Sequence, residues 1–318
     1  MTEQDLRCLR DQLRDCTGTM VAAACVWEAT ARKPGNVHRF ADFSDTTYLD
    51  FVFSALAFAE VLTWTGPRVQ RYRFGSQVWH AVSTTKALVG RNTNLGIILA
   101  TLPLARSQDR GMPPLPMPRG RVYDLRIGVR RILDRLSIQD AKEVYSAIRL
   151  AAPGGLGDAP SQDVHDEPTV TLLEAMKLAA DRDMIARQYA NGFADVFDLG
   201  VPAFLDGFQK FGCVEAAIID CQLRWLAEFP DSLIARKKGL AVAEDVQRRV
   251  KEVLALGGLA TPEGRAAGVA LDTHLRSDGN KLNPGTTADL ITACLFVALR
   301  ENKVTPSAPF RWNVEDWL

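Results

Sequence analysis

Three carboxylates of this chain, Glu28, Asp45 and Asp289, stand beside polar, glycine-rich breaks in a sequence that otherwise reads as helix. The first break, Lys33-Pro34-Gly35-Asn36-Val37-His38-Arg39, follows a helical run ending near Ala31, with Glu28 one turn before that end. A new helix begins among Asp42, Asp45 and Asp50, so cations, a histidine and several acids crowd one helix–loop–helix junction. The second break, Gly90-Arg91-Asn92-Thr93-Asn94-Leu95-Gly96, opens an apolar helix. Unpaired N–H groups and the positive dipole end make such a terminus an anion site. Plain capping by Asn and Thr accounts for the same residues. The third, Ala152-Pro153-Gly154-Gly155-Leu156-Gly157-Asp158, lets backbone approach a ligand closely. It lacks the Lys-Ser or Lys-Thr of a nucleotide P-loop and follows no strand. The fourth runs from Asp278 to Asp289, where Asn283, Gly285 and Thr286 lead into an apolar helix and Thr286 with Asp289 could form a capping pair. A smaller relative, Asp231 to Gly239, carries Arg236, Lys237 and Lys238, which read first as a solvated face.

The helices must bring these breaks together. Apolar residues recur at helical spacing almost throughout, as in Leu6, Leu9, Leu13, Cys16, Met20, Ala24 and Trp27, and in Val242, Val246, Val250 and Leu254. Ser137 with Asp140, and Thr171 with Glu174, read as capping boxes that open helices. No alternating strand of five or more residues is evident. The expected fold is all-α, with ten or more helices in a single domain over 1–318 and the site at helix–loop junctions. Prolines crowd residues 107–120, which are expected to form a surface loop.

Composition excludes several functions. With 38 Lys+Arg against 38 Asp+Glu, the 318-residue chain has no net charge to attract nucleic acid or an acidic membrane, so any anion site is local. The longest apolar run, Leu95 to Ala105, is too short to span a bilayer. The N-terminal residues show no signal-peptide pattern. The six cysteines form no Cys-x-x-Cys pair and are expected as reduced thiols in a cytoplasmic protein. Four scattered histidines give no zinc spacing, and no Gly-x-Ser-x-Gly elbow is present. The remaining acids suit magnesium, which takes few carboxylates and completes its shell with water and phosphate.

Taken in order, the breaks resemble the triphosphoribosyl-dephospho-CoA synthase family. Glu28 with Lys33-Pro34-Gly35, Asp45 with Phe53-Ser54-Ala55, Asn92-Thr93-Asn94-Leu95-Gly96, Asp231 through Arg236, and Leu282 through Leu290 are similar to its motifs in sequence order. The resemblance runs from about Glu28 to Leu299 and implies an all-α fold. It also implies a reaction in which a ribose hydroxyl of dephospho-CoA displaces adenine from ATP while the triphosphate stays on the ribose. On that resemblance Glu28, Asp45 and Asp289 are the catalytic candidates, with Glu28 and Asp45 also expected to hold magnesium. Lys33, Gly35, Asn36, His38, Arg39, Arg91, Asn92, Thr93, Asn94, Arg236, Asn283, Gly285 and Thr286 are the candidates for phosphate and nucleotide. The expected partners are ATP and dephospho-CoA or another phosphorylated acceptor, with a homodimer held open.

The chain departs from the family pattern at three points. Leu95 stands where the family motif has Lys, Asn94 where it has His, and His38 where it has Asp. Gly154 to Gly157 and Arg187 to Phe193 look more like the family's divergent archaeal and non-fermentative bacterial branch. That leaves open a different acceptor, such as an intermediate of a C1 carrier of the tetrahydromethanopterin kind. A phosphotransferase or nucleotide hydrolase, and a non-catalytic nucleotide-binding protein, also remain open.

Overall fold

The computed structural model describes residues 16–64, 72–107, 124–154 and 161–318. Fourteen α-helices account for most of these residues, and no strand occurs among them; an isolated bridge joins His38 to Ala41. Of the expected proline-rich loop, residues 108–120 lie outside the described residues, as do 1–15 of the first amphipathic run and 155–158 of the third break.

The centre is the last helix, α14 (Gly285–Arg300), which is buried along nearly its whole length. A helix apolar on every side needs neighbours on every side. These are α1 (Thr17–Thr30), α4 (Leu95–Arg106), α9 (Val201–Phe211) and α10 (Val214–Glu228). Around them stand α2 (Tyr48–Trp64), α3 (Phe74–Val89), α5 (Leu125–Leu133), α6 (Ile138–Ala151), α7 (Leu172–Ala179) and α8 (Met184–Asn191). The chain continues through α11 (Ser232–Lys238), α12 (Leu240–Ala255) and α13 (Pro262–Arg276).

Two apolar clusters result, and α10 serves both. Its Val214, Ala217, Ile218, Cys221 and Trp225 enter the larger cluster with α1, α4 and α14. Its Ala216, Ile219, Leu223 and Leu226 face a second cluster with α12, α13, Trp312 and Trp317. Two stripes at three-and-four spacing on one helix seam the clusters together. The stripe Val246 and Val250 of α12 is buried as its spacing requires.

Both expected capping boxes form. Ser137 and Asp140 open α6, and Thr171 and Glu174 open α7. The third expected cap does not form. The α14 start at Pro284 has no side-chain cap of its own. Asp231 reaches across from the start of α11 instead: one carboxylate oxygen accepts from the N–H groups of Leu233 and Ile234, the other from Thr287 N–H and Oγ1, each at 2.8 Å. One buried acid thus ties two helix starts together.

Candidate active site

A cavity of about 1060 Å³ opens where helix ends converge. Its walls are the end of α1, the starts of α4, α8, α11 and α14, and the loop carrying Asp45. Side chains bind these ends to one another. Asp183 caps α8 by accepting from Ile185 N–H and Ala186 N–H, and its second oxygen pairs with Arg236 of α11 at 3.2 Å. Ser232 Oγ donates to Thr286 Oγ1 at 3.1 Å and accepts from Met184 N–H at 3.2 Å. Asn36 donates to Asn283 Oδ1 at 2.5 Å and accepts from Gln222 Nε2 at 2.7 Å, joining the first break to the fourth. On the α4 side, Asn92 Oδ1 accepts from Leu95 N–H, Thr93 bonds Ser54 through their hydroxyls, and Asn94 donates to Ser54 O and Thr85 Oγ1. The expected anion side of this terminus is therefore polar and rigid but carries no cation.

The acids at the centre have no such partners. Asp289 projects from the second turn of α14, and no donor among the described residues reaches its carboxylate. A Cβ on Gly96 would overlap that carboxylate, so glycine is what admits it between α4 and α14. Burial, then the neighbouring charges of Glu28, Asp231 and Asp183, push the Asp289 carboxyl well above its ordinary range, against the pull of Arg236. Glu28, 3% exposed, also lines the cavity and pairs with Lys33 at 2.9 Å. Asp45 stands exposed at the mouth, accepting from Asn280 Nδ2 at 3.1 Å. Among the described residues no three His, Cys, Asp or Glu side chains gather as a ready-made metal cage. The orphaned Asp289 carboxylate beside Glu28 is nonetheless the kind of site that a hydrated divalent cation neutralises.

Of the expected residues, Glu28, Asn36, Asp45, Asn92, Thr93, Asn94, Arg236, Asn283, Gly285, Thr286 and Asp289 line this cavity. Lys33, Gly35, His38, Arg39 and Arg91, expected as a phosphate wall, lie outside its lining. Lys33 is fully buried, its ammonium shared between the Glu28 carboxylate and the Glu28 carbonyl. Gly35 takes φ +76°, donates to Asp272 Oδ1 at 2.7 Å and lies too close to Leu275 for a Cβ. Arg39 joins Arg32 on Glu215, a fully buried acid of α10. Arg91 is exposed, outside the cavity lining. His38 is buried beside four cations. Burial first, then Lys33, Arg276, Arg39 and Arg32, lower its pKa to about 3, so its imidazole is neutral and holds no phosphate by charge.

The sequence reading missed Asp183, Lys237 and Asn280 as cavity residues. Asp183 is a helix cap by sequence, and nothing local shows that its second oxygen meets Arg236. Lys237 sits in a row of three cations whose period on a short helix would have singled it out, because Lys238 turns outward to Asp278 while Lys237 turns in. Glu215 was missed as well; an acid near the start of a helix reads as dipole compensation, not as the hub of two arginines.

The all-α scaffold places a large cavity, lined by polar and apolar side chains alike, at converging helix ends. The carboxylates and the cations lie on facing elements of one site. A family model described as ATP:dephospho-CoA triphosphoribosyl transferase matches residues 14–307, and the chain belongs to that family. It is 30% identical over 113 residues to a 2-(5''-triphosphoribosyl)-3'-dephosphocoenzyme-A synthase from Klebsiella pneumoniae, and the match covers 35% of this chain and 40% of that protein. A protein from Pseudomonas savastanoi pv. phaseolicola given the same name provisionally is 31% identical over 115 residues, 36% of this chain and 39% of its own. The chain thus spans about two fifths of the curated relatives it matches. A crystal structure from Archaeoglobus fulgidus, described as a candidate triphosphoribosyl-dephospho-coA synthase, superposes with a TM-score of 0.57 at 27% identity, covering 80% of this chain and 98% of that one. No described helix is long and apolar enough to cross a membrane.

Proposed function

We propose that this chain transfers the triphosphoribosyl group of ATP to a hydroxyl of dephospho-CoA or a closely similar acceptor and releases adenine. The observation that carries the reading is the meeting of Glu28, Asp289, Asn92 to Asn94 and Arg236, remote in sequence, in one cavity, with the Asp289 carboxyl pushed well above its ordinary range. In the reaction the acceptor oxygen bonds to the ribose C1, the bond from C1 to adenine breaks, the hydroxyl proton leaves to a base, and adenine gains a proton. Asp289, whose carboxyl is pushed well above its ordinary range, suits the general acid. Glu28, paired with Lys33, lines the same cavity and can stabilise positive charge that develops at C1, as in other glycosyl transfers. Deep in the cavity the low dielectric strengthens that interaction.

Magnesium, bound with the nucleotide, would neutralise triphosphate charge, and Glu28 and Asp45 are the side chains that would hold it. Residues Asn92, Thr93 and Asn94 then orient ribose or phosphate oxygens by hydrogen bonds. The cavity's size is at the upper end for one drug-sized ligand and suits two substrates side by side. A soluble cytoplasmic enzyme of coenzyme biosynthesis is the setting that this reading implies.

Incubation of the full-length protein with ATP, magnesium and dephospho-CoA tests the reading. Free adenine, formed in step with a product carrying both the acceptor and the triphosphoribosyl group, is expected. ADP or phosphate without adenine would sink it in favour of phosphoryl transfer.

A further inference from the structure

We propose that Arg236 and Lys237, the last-turn cations of α11, form the polyphosphate subsite of the cavity. The assignment of the anion to a pentosyl donor rests on the function proposed above; the subsite itself rests on geometry. Both side chains line the cavity. Arg236 uses one terminal nitrogen on Asp183 at 3.2 Å, while its Nε is buried with no acceptor. A buried guanidinium N–H without a partner is costly, and an anion oxygen is the partner it lacks.

Lys237 is half-buried, and no carboxylate among the described residues lies within ion-pair reach of it. Its only polar contact among the described residues is the Asn280 carbonyl at 3.4 Å, at the long end for a hydrogen bond. Its neighbour Lys238 contrasts with it: exposed, outside the lining and paired with Asp278 at 2.6 Å. Burial and the Arg236 charge lower the Lys237 pKa, while Asp231 and Asp45 raise it. A phosphate between the two cations would relieve their repulsion.

The ordinary account of cations at a helix C-terminus is compensation of the dipole. That account fits Lys238, whose charge is spent at the surface. It does not explain an Arg236 Nε enclosed without an acceptor, nor a lysine turned inward to a weak carbonyl contact. The Asn280 side chain also holds Asp45, so Lys237 moving from the Asn280 carbonyl to a phosphate leaves the Asp45 contact intact.

Binding of inorganic tripolyphosphate to the full-length protein by titration calorimetry, without metal or acceptor, tests this. Lys237→Ala is expected to weaken binding about tenfold or more, the scale of one charge-assisted contact. Lys237→Arg should stay within about threefold of wild type and Lys238→Ala should be unchanged, since only the charge at 237 is at stake. Thermal unfolding of each variant at the same pH checks that the fold persists, and Lys237→Met supplies a second neutral variant of similar length. The proposal is overturned if the wild type binds no tripolyphosphate, if Lys237→Ala and Lys237→Met bind as wild type, or if Lys238→Ala loses as much as they do. Tripolyphosphate binding without adenine release would sink the pentosyl reading and keep the subsite.

Discussion

Glu215 and Asp289 are both acids near the starts of long helices, and the protein treats them in opposite ways. Glu215, fully buried, meets Arg32, Arg39 and the N–H of Trp312. Burial pushes its carboxyl up, but Arg39, Arg32 and Trp312 together hold it below the ordinary range. Asp289 meets no donor among the described residues, and burial with Glu28 beside it pushes its carboxyl the other way. Around Glu215, Arg32 also donates to the carbonyls of Trp312 and Trp317, and the Trp317 indole returns a bond to the Arg32 carbonyl, so the chain end is tied to the end of α1. A satisfied buried acid is scaffold. An unsatisfied one facing a cavity is where chemistry is available.

The contrast breaks most sharply at Asp289. Asp289→Asn should lower adenine release by about a thousandfold, within the range for a lost general acid. Its effect on folding has a definite sign. A carboxyl with a raised folded pKa contributes stability below its ordinary value near 3.8 and loses it as pH rises through the folded pKa. The asparagine cannot ionise, so the variant should hold its stability better than wild type in alkaline buffer, read by chemical denaturation at several pH values.

At Glu215 the prediction inverts. Glu215→Ala strands Arg32 and Arg39, and unfolding free energy should fall by about 3 kcal/mol, with Glu215→Gln losing less. Equal losses for both variants would show that the arginines find other partners. Gly96→Ala probes the neighbouring geometry: its Cβ must displace the Asp289 carboxylate, so turnover should fall about 10- to 100-fold while α4 keeps its helix signal. Unchanged turnover would mean that the position of Asp289 is not what matters.

The smallest effect is expected at His38. Its folded pKa of about 3 lies below the ordinary 6.5, so its contribution is full above 6.5 and is lost as pH falls toward 3. Between pH 6 and pH 5, His38→Asn should lose about 1 kcal/mol less than wild type, because one proton uptake on unfolding is removed. The slopes of denaturation midpoint against pH decide it.

Much of this was legible in the residues. Helical spacing, the two capping boxes and the ordered breaks specify an all-α chain and name Glu28, Asp289, Asn92 to Asn94 and Arg236. Those readings depend on neighbours within a turn or two, where sequence distance and spatial distance agree. The Lys33 to Arg39 break misled in part. Its charges are close in sequence, but Asn36 turns toward the cavity while Lys33, His38 and Arg39 turn into the protein. The Arg39 partner lies in α10, 176 residues on.

By itself the sequence determined which segments are helices, where they stop, and which polar residues stand at those stops, because periodicity and capping are local physics. The tertiary structure alone decided which charges are spent. Lys33 is paired with Glu28, Arg39 with Glu215 and Lys238 with Asp278, while among the described residues Asp289 is left without a donor and Lys237 without a carboxylate. Charge is a property of a residue; whether it is neutralised depends on which side chains lie within a few ångströms, and here those partners come from other helices.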